Sequence, residues 1–356
     1  MKRLPQLDGV RGIAILLVLF HNTGPLTALH LSALSTYGWM GVDLFFVLSG
    51  FLITGILLET KESEDYFRNF YARRCLRIWP LYFSLLIFMF VIIPRFDPLQ
   101  AHAILERSSP RWAYPFFLQN FFVAIPQEAA GALGVTWSLA IEEQFYLIWA
   151  LIVRLFSSTQ LKRIAVAVIL LSPPLRFFLG FHHVDIYSNF FCRLDGLMAG
   201  ALFAMLVRSK AFVPGKHLAL AGISLLVAIT LAISAEHYSA QWFTFSMTSW
   251  ASFSLIYLAL FSSWTWAQSL FRNRFLTYTG TISYGLYLLH KIPFDVTKTV
   301  HWGPVFSFCW TVALSYLLAA ISWTVLEKPF LKLKRFFNRK SRGSGWVSSP
   351  PVELPT

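Results

Sequence analysis

The sequence predicts an all-α polytopic membrane protein, a bundle of about ten transmembrane helices with a short re-entrant or interfacial segment. Hydrophobic residues make up 56% of the 356 residues and charged residues only 13%, too few charges to coat soluble domains of this size. The apolar residues form long unbroken runs, whereas the strands of a membrane barrel alternate apolar and polar positions. Helices are therefore expected, because a helix satisfies its own backbone hydrogen bonds within lipid.

Ten apolar runs in the sequence approach the ~20 residues that a helix needs to cross a bilayer. In chain order they are Val10–Leu31, Gly38–Leu58, Trp79–Pro94, Gly134–Leu155, Ile164–Phe181, Asn189–Val207, His217–Ala235, Phe243–Trp264, Leu276–Pro293 and Val305–Leu326. A further apolar run, Tyr114–Pro126, is too short for a span. It is predicted to be re-entrant or to lie at the membrane interface.

The distribution of basic residues sets the predicted orientation. With ten spans and a cytoplasmic N-terminus, most of the 30 Lys and Arg residues lie on the cytoplasmic side, as the positive-inside rule requires. Counting Tyr114–Pro126 as a span would move most of these residues to the outer side. Both termini are therefore predicted to be cytoplasmic.

Composition also predicts the domain organisation and the kind of partner. Residues 1–337 form one transmembrane domain, and residues 338–356, rich in Ser, Pro and Gly, form a disordered cytoplasmic tail. The net charge of +13 arises from cytoplasmic basic residues, so it indicates membrane lipids rather than nucleic acid as a partner. Cys75, Cys192 and Cys309 lack metal-ligand spacing, so no metal site is predicted.

Ionisable side chains inside the predicted spans point to a polar interior. Such groups are costly in lipid unless they have a partner or a water-filled cavity. One is commonly structural, but nine indicate a larger polar site. They are Arg11, His21, Asp43, Glu142, Glu143, Arg176, Arg193, Asp195 and His290.

His21 is the strongest candidate for a catalytic base, because a neutral imidazole can take a hydroxyl proton near pH 7. His21 lies roughly 16 Å from the start of its span, and Glu142 about 12 Å from the opposite side, at ~1.5 Å rise per residue. This similar depth predicts that Glu142 orients the imidazole or hydrogen-bonds a sugar hydroxyl, and Asp43 is the other carboxylate predicted to orient the ring. Two further alternatives stay open: His21 is simply a buried histidine, or Glu142 forms a structural ion pair with Arg193 or Arg176.

Arg74 and Arg77 are three residues apart and therefore neighbours on one helix face, a geometry that suits phosphate binding. Arg73 precedes them at the predicted cytoplasmic mouth of the third span. Basic residues beside a span also serve as topology and headgroup determinants, which is the alternative here. Ser138 shares a helix face with Glu142, four residues later.

The remaining ionisable residues have structural interpretations beside functional ones. Asp43 is expected to pair with Arg11, His290 or Lys291. Arg193 and Asp195 are expected to neutralise each other or their neighbours. His290 lies near the outer interface, where a histidine is either merely solvated or functional.

Seven segments occur in a fixed order between about Leu7 and Phe336: LDGVRGIAILLVLFH, GVDLFFVLSGFLIT, RRCLRIWPLY, TWSLAIEEQFYLIW, RLDGLMAGAL, SYGLYLLHKIP and LEKPF. Each is weak alone, but the ordered set resembles the acyltransferase-3 family of integral membrane O-acyltransferases. That family includes enzymes that acetylate bacterial surface polysaccharides, Nod factors and macrolides.

The resemblance implies an acyl-CoA-dependent O-acyltransferase of the bacterial cytoplasmic (inner) membrane. Acyl-CoA, most simply acetyl-CoA, would be a co-substrate rather than a bound cofactor, and a glycan or glycoconjugate hydroxyl would be the acceptor. In the family pattern, Arg74 and Arg77 serve the acyl-CoA donor. Ser138 and Glu142 match the family's Ser-Leu-x-x-Glu segment.

Arg11 and His21 match the arginine and histidine of the family's first helix, with one departure. The family motif has ten residues between them, whereas this sequence has nine. At 100° per residue, the two side chains therefore lie about 80° apart around the helix, unless a π-bulge restores the phase.

A transporter or flippase of a lipid-linked or small polar substrate is the rival interpretation of the polar interior. It would require alternating access, for which internal repeats and discontinuous helices are the sequence signals. No repeat is evident, and only Pro173-Pro174 in the fifth span suggests a discontinuity.

Overall fold

The computed structural model describes residues 4–22, 32–122, 131–209, 211–237, 240–298 and 302–337. All regular elements within these ranges are helical, which confirms the predicted all-α class. The predicted tail, residues 338–356, lies outside the described residues, as do the end of the first predicted span and the end of the short apolar run.

The described residues contain eighteen α-helices. They are α1 (Pro5–Asn22), α2 (Ser32–Tyr37), α3 (Met40–Thr60), α4 (Tyr66–Ile87), α5 (Ile93–Phe96), α6 (Pro98–Glu106), α7 (Gly131–Gly134), α8 (Thr136–Leu155), α9 (Ser158–Phe181), α10 (Phe190–Val207), α11 (Leu218–His237), α12 (Gln241–Phe261), α13 (Thr265–Phe271), α14 (Arg274–Thr281), α15 (Ser283–Leu289), α16 (Lys291–Lys298), α17 (Pro304–Ser322) and α18 (Lys328–Lys332). Two π-helical turns (Phe88–Ile92, Trp323–Glu327) and three 3₁₀ turns (Arg111–Ala113, Gln119–Phe121, Leu333–Phe336) complete the described elements.

Seven helical passes in the described residues are long and apolar enough to cross a membrane. Each overlaps one of the predicted spans, so the polytopic membrane class is confirmed. They are Met40–Thr60, Tyr66–Phe96, Ser158–Phe181, Phe190–Val207, Leu218–Ala235, Gln241–Phe261 and Val305–Phe336.

The other three predicted spans contain polar residues or breaks. Helix α1 carries Asp8, Arg11 and His21, and α8 carries the adjacent carboxylates Glu142 and Glu143. The ninth predicted span is divided into the short helices α14, α15 and α16. The count of ten spans therefore stays a prediction, and the three uncertain passes are those that carry most of the candidate site.

Helices α3 and α10 form the centre of the bundle, and the glycines between them allow backbone contact. A Cβ atom added to Gly50 would lie 1.9 Å from the Leu197 carbonyl oxygen, and one added to Gly200 would lie 1.9 Å from the Val47 carbonyl oxygen. Such close approach is possible only without a side chain. Both helices bury most of their side chains, whereas α9 and α11 expose most of theirs.

The described part of the short apolar run, residues 114–122, packs against α8 and forms no α-helix. Gln144 Nε2 donates to the Phe117 carbonyl oxygen at 2.6 Å and to Asn120 Oδ1 at 2.7 Å. Gln119 Nε2 donates to the Thr136 carbonyl oxygen at 2.9 Å. These amides satisfy irregular backbone inside the protein, as a segment at membrane depth requires. Whether the segment is re-entrant or interfacial stays a prediction.

Candidate active site

One hydrogen-bonded chain joins α3 and α8 in the middle of the bundle. Tyr146 donates its phenol proton to Glu142 Oε2 at 2.8 Å, and these residues are one helical turn apart on α8. Ser49 Oγ on α3 lies 2.5 Å from Tyr146 Oη. Since the phenol proton goes to the carboxylate, Ser49 donates to Tyr146. Glu142 thus faces α3. Ser49, which precedes Gly50 on α3, makes a polar contact across this interface.

Arg74 and Arg77 of α4 lie beside this chain. The Arg74 guanidinium carbon is 6.0 Å from the centre of the Tyr146 ring, and the charges of both arginines interact with Glu142. Both side chains are half-buried. They lie about 12 and 17 Å along α4 from Tyr66, so they are deeper than the predicted helix mouth. The structure therefore brings the predicted donor arginines to the predicted carboxylate.

The charge of Arg77 interacts with two carboxylates, and Arg77 has no close partner among the described residues. Glu327, at the end of the second π-helical turn, is 4% exposed, and Ser322 Oγ donates to its Oε1 atom at 3.2 Å. The charge of Arg77 interacts with Glu327 and with Glu142. No hydrogen bond or close ion pair holds Arg77 among the described residues, so its N–H groups are available.

Arg73 does not share this environment. Its Nη1 atom donates to the carbonyl oxygens of Lys334 at 3.1 Å and Phe337 at 2.9 Å, at the end of the last helix. Adjacent helical residues point about 100° apart, so Arg73 faces the last helix while Arg74 faces the bundle interior. These bonds give Arg73 a structural contact, and its predicted binding of the donor stays a prediction.

Arg11 lies close to the arginine end of the site, and His21 does not. Arg11 Nη1 is 3.1 Å from Asp8 Oδ1, and its charge also interacts with Arg77 and Tyr146. Helix α1 is regular between Arg11 and His21, without a π-bulge. The two residues therefore lie about 15 Å apart along the axis and about 80° apart around it. The angular offset between Arg11 and His21 that the sequence predicts is therefore present in the structure.

His21 occupies the last turn of α1, and a backbone carbonyl fixes its tautomer. Its Nδ1 atom lies 2.7 Å from the Ser35 carbonyl oxygen. A carbonyl only accepts, so Nδ1 carries the proton and the neutral ring presents its lone pair on Nε2. The sequence predicted Glu142 or Asp43 in this role. Neither carboxylate bonds to His21, because α1 ends at Asn22, far from the α3 to α8 contact that holds Glu142.

Asp43, Arg193 and Asp195 form buried ion pairs that hold helices together. Asp43 pairs with Arg193, and Thr248 donates to the second Asp43 oxygen at 2.7 Å. Arg176 pairs with Asp195 at 2.9 Å. These contacts connect α3, α9, α10 and α12. Asp43 therefore pairs with none of the partners predicted for it, and each of its oxygens has a partner. Its catalytic role stays a prediction.

A second polar group lies near the His21 end. Tyr287 donates to the Val135 carbonyl oxygen at 3.0 Å, and Ser138 Oγ lies 2.5 Å from Tyr287 Oη. The Nδ1 atom of His290 lies 2.7 Å from the Tyr287 carbonyl oxygen. His290 is fully buried, and its charge interacts with that of His21. Ser138 and His290, separated by 152 positions in the sequence, are thus joined through Tyr287.

These two groups are continuous because α8 presents Ser138, Glu142 and Tyr146 on one face, about 12 Å long. Sequence analysis missed Tyr146 and Tyr287. The spacing of Tyr146 from Glu142 was a usable signal, whereas nothing local marks Tyr287. We refer to these two groups, with the arginines beside one and His21 beside the other, as the polar column, which comprises Arg74, Arg77, Glu142, Tyr146, Ser49, Ser138, Tyr287, His290 and His21.

Comparison with known proteins gives consistent family matches. A family model described as "Acyltransferase domain" matches residues 4–326. A Staphylococcus aureus (strain COL) protein is 29% identical over 368 residues, which cover 93% of this chain and 58% of that protein. The peptidoglycan O-acetyltransferase OatA of Listeria monocytogenes is 28% identical over 93% of this chain and 56% of its own length.

The O-acetyltransferase OatA of S. aureus (strain NCTC 8325 / PS 47) is 28% identical, over 92% of this chain and 57% of its own length. The chain thus spans less than two thirds of the relatives that it matches. No solved structure matches it significantly.

Proposed function

Because this chain belongs to the acyltransferase-3 family, we propose that it is a membrane O-acyltransferase that uses cytoplasmic acyl-CoA. It transfers an acyl group, most simply acetyl, to a hydroxyl of a glycan or glycoconjugate. Relatives named O-acetyltransferases, one of them for peptidoglycan, support this class of acceptor. The observation that carries the proposal is the polar column, which connects two arginines with a histidine of fixed tautomer.

The arginine end of the column binds the donor. Arg77 lies between Glu142 and Glu327 without a close ion pair among the described residues, so its N–H groups can bind a phosphate. Arg74 is one turn away on the same helix face, and paired guanidiniums suit the phosphates of CoA. The pantetheine arm then extends along the column toward His21.

The histidine end performs the transfer. His21 Nε2 accepts the proton of the acceptor hydroxyl while the oxygen attacks the thioester carbonyl carbon. The carbon–sulfur bond breaks, and the CoA thiolate leaves with the proton that the imidazolium returns. The Ser35 carbonyl keeps its hydrogen bond to Nδ1–H throughout and stabilises the charged ring. A covalent acyl-histidine relay uses the same nitrogen as nucleophile.

We also propose ten membrane passes in a bacterial cytoplasmic membrane, with both termini cytoplasmic. Helices α1 and α8 have 18 and 20 residues, about 27 and 30 Å, which is long enough to cross the hydrocarbon core. Their polar residues face the bundle interior, which explains how such helices lie within a membrane. The arginine end of the column is then cytoplasmic and the His21 end is outer.

The direct test is acyl transfer by purified protein in nanodiscs, with radiolabelled acetyl-CoA and a panel of methyl glycosides. His21→Ala is expected to abolish labelled product while the protein remains folded and monodisperse. His102→Ala is the matched control, since His102 lies on the exposed surface of α6. An active His21→Ala protein would contradict the mechanism. Label retained on the wild-type protein without acceptor, and lost in His21→Ala, would indicate the covalent relay.

One observation favours the transporter or flippase alternative, namely the division of one pass into α14, α15 and α16. The suspected discontinuity at Pro173 and Pro174 is absent, because α9 continues through both prolines. Substrate flux across proteoliposomes without any acyl donor would support this alternative. Acyl transfer by solubilised protein, which has no compartments to connect, would contradict it.

A further inference from the structure

His290 has a buried nitrogen that none of the described residues satisfies. The side chain is 0% exposed, and its Nε2 atom has no hydrogen-bond partner among the described residues. Buried polar atoms are almost always paired, since an unpaired one costs free energy. The mechanism above does not use this nitrogen. An unpaired acceptor at the end of a functional column therefore requires an explanation.

Hydrogen bonds fix the orientation of the His290 ring. The chain breaks between α15 and α16, and Pro293 in the first turn of α16 has no N–H for the Leu289 carbonyl. The Tyr287 carbonyl accepts from His290 Nδ1–H at 2.7 Å. The Tyr287 phenol is itself bonded to α8 at Val135. The Nε2 atom is therefore a lone-pair acceptor in a fixed position.

His21 has the same arrangement. In each histidine Nδ1–H donates to a backbone carbonyl at 2.7 Å, so each neutral ring presents an unprotonated Nε2. Helix α1 packs against α15, and the two rings are close enough that a charge on one would act on the other. The His21 end of the polar column thus has two acceptor nitrogens. A hydroxyl has only one proton and can donate to only one of them.

We propose that His290 is a positioning residue that accepts a hydrogen bond from a second hydroxyl of the acceptor, next to the hydroxyl that His21 deprotonates. The inference rests on the proposed function and narrows its acceptor class. The substrate is a sugar with a neighbouring pair of hydroxyls, rather than an isolated alcohol. Because the ring is fully buried, binding must open the packing around it, and the hydroxyl then satisfies the unpaired nitrogen.

The test compares kcat/KM for methyl β-glucopyranoside with its deoxy analogues that lack one hydroxyl but retain the acylated one. For wild-type protein, removal of the neighbouring hydroxyl is expected to lower kcat/KM by about 10- to 100-fold, the effect of leaving a buried acceptor unpaired. His290→Ala lowers activity toward the parent sugar similarly and shows no further loss with the deoxy analogue. His290→Gln, whose amide oxygen also accepts, retains part of the discrimination.

The outcomes separate this inference from the proposed function. Equal rates for the parent sugar and every deoxy analogue with wild-type protein would overturn the inference without any variant. Undiminished discrimination in folded His290→Ala would also overturn it, since a merely structural histidine leaves the ratio unchanged. Absence of labelled product from every acceptor with wild-type protein would overturn the proposed function, and with it this inference.

Discussion

The proton of a histidine ring can be fixed by any good acceptor, and here both functional histidines use backbone carbonyls. His21 bonds to Ser35 and His290 bonds to Tyr287, each at 2.7 Å. The carboxylates of Glu142 and Glu327 consequently interact with the arginines at the other end of the polar column. Sequence analysis identified His21 and Glu142 correctly as polar interior residues, but it joined them to each other. Any residue can supply a backbone acceptor, so the sequence could not show that a carbonyl rather than Glu142 bonds to His21.

Glu142→Gln provides a test of that division of roles. Glu142 contacts Tyr146, and its charge interacts with Arg74 and Arg77, so its neutralisation removes a negative charge that would repel the phosphates of the donor. We expect KM for acetyl-CoA to fall by up to about 10-fold. The value of kcat is expected to be unchanged. A collapse of kcat would instead indicate that Glu142 orients His21.

Arg77→Lys tests the proposed donor site with charge conserved. Lysine keeps the positive charge but loses the planar fork that binds phosphate through two N–H groups. We expect KM for acetyl-CoA to rise by about 10-fold with little change in kcat. Arg68→Lys is the control on the same helix, since Arg68 is exposed, pairs with Asp65 at 3.4 Å and lies over the Phe337 ring, away from Glu142. Equal effects of the two substitutions would contradict a specific phosphate site at Arg77.

At the scale of helices, buried ion pairs and glycine contacts hold the bundle around the column. Arg193 and Asp43 join α10 to α3, where Gly50 and Gly200 bring the backbones together. A Cβ atom at Gly50 would meet the Leu197 backbone, so this contact requires glycine. The partner of Asp43 was not predictable, because ten apolar helices can be arranged in many ways around one another. Arg193 is the partner of Asp43 because α3 packs against α10.

The structural role of this ion pair predicts a difference between single and double substitution. Asp43→Asn leaves the Arg193 charge buried and uncompensated, which is expected to lower the free energy of unfolding by about 3–5 kcal/mol. The double variant Asp43→Leu with Arg193→Met removes both charges and is expected to recover most of the stability and the acyl-transfer activity. Thermal unfolding in detergent measures the first effect. A stable but inactive double variant would indicate that Asp43 or Arg193 has a catalytic role.

For the whole molecule, composition was sufficient to predict the class but not the exact number of passes. Long apolar runs identify helices such as α3 and α10, because lipid leaves the backbone no other way to satisfy its hydrogen bonds. The passes that carry function are polar or interrupted, so they are the ones that hydropathy identifies least clearly. Pro293 was a usable signal for the break before α16, since it cannot continue the hydrogen bonding of α15.

The proposed topology makes a prediction that chemical labelling can test. In a cysteine-free background, a cysteine at Arg107, in the loop after α6, is expected to react with a membrane-impermeant maleimide added to intact cells. A cysteine at Arg163, on the exposed side of α9, is expected to react only after permeabilisation. Reaction of both positions from outside would mean that residues 114–126 form an eleventh pass, and the orientation of every later helix would reverse.

The divided pass of α14, α15 and α16 has a consequence for motion. Each interruption removes main-chain hydrogen bonds that a continuous helix would have, so this part of the bundle has the lowest cost of local opening. Amide protons of residues 282–291 are therefore expected to exchange with deuterium faster than those of the equally buried α3. The weakest part of the scaffold then lies beside the two imidazoles, where an incoming sugar has to gain entry.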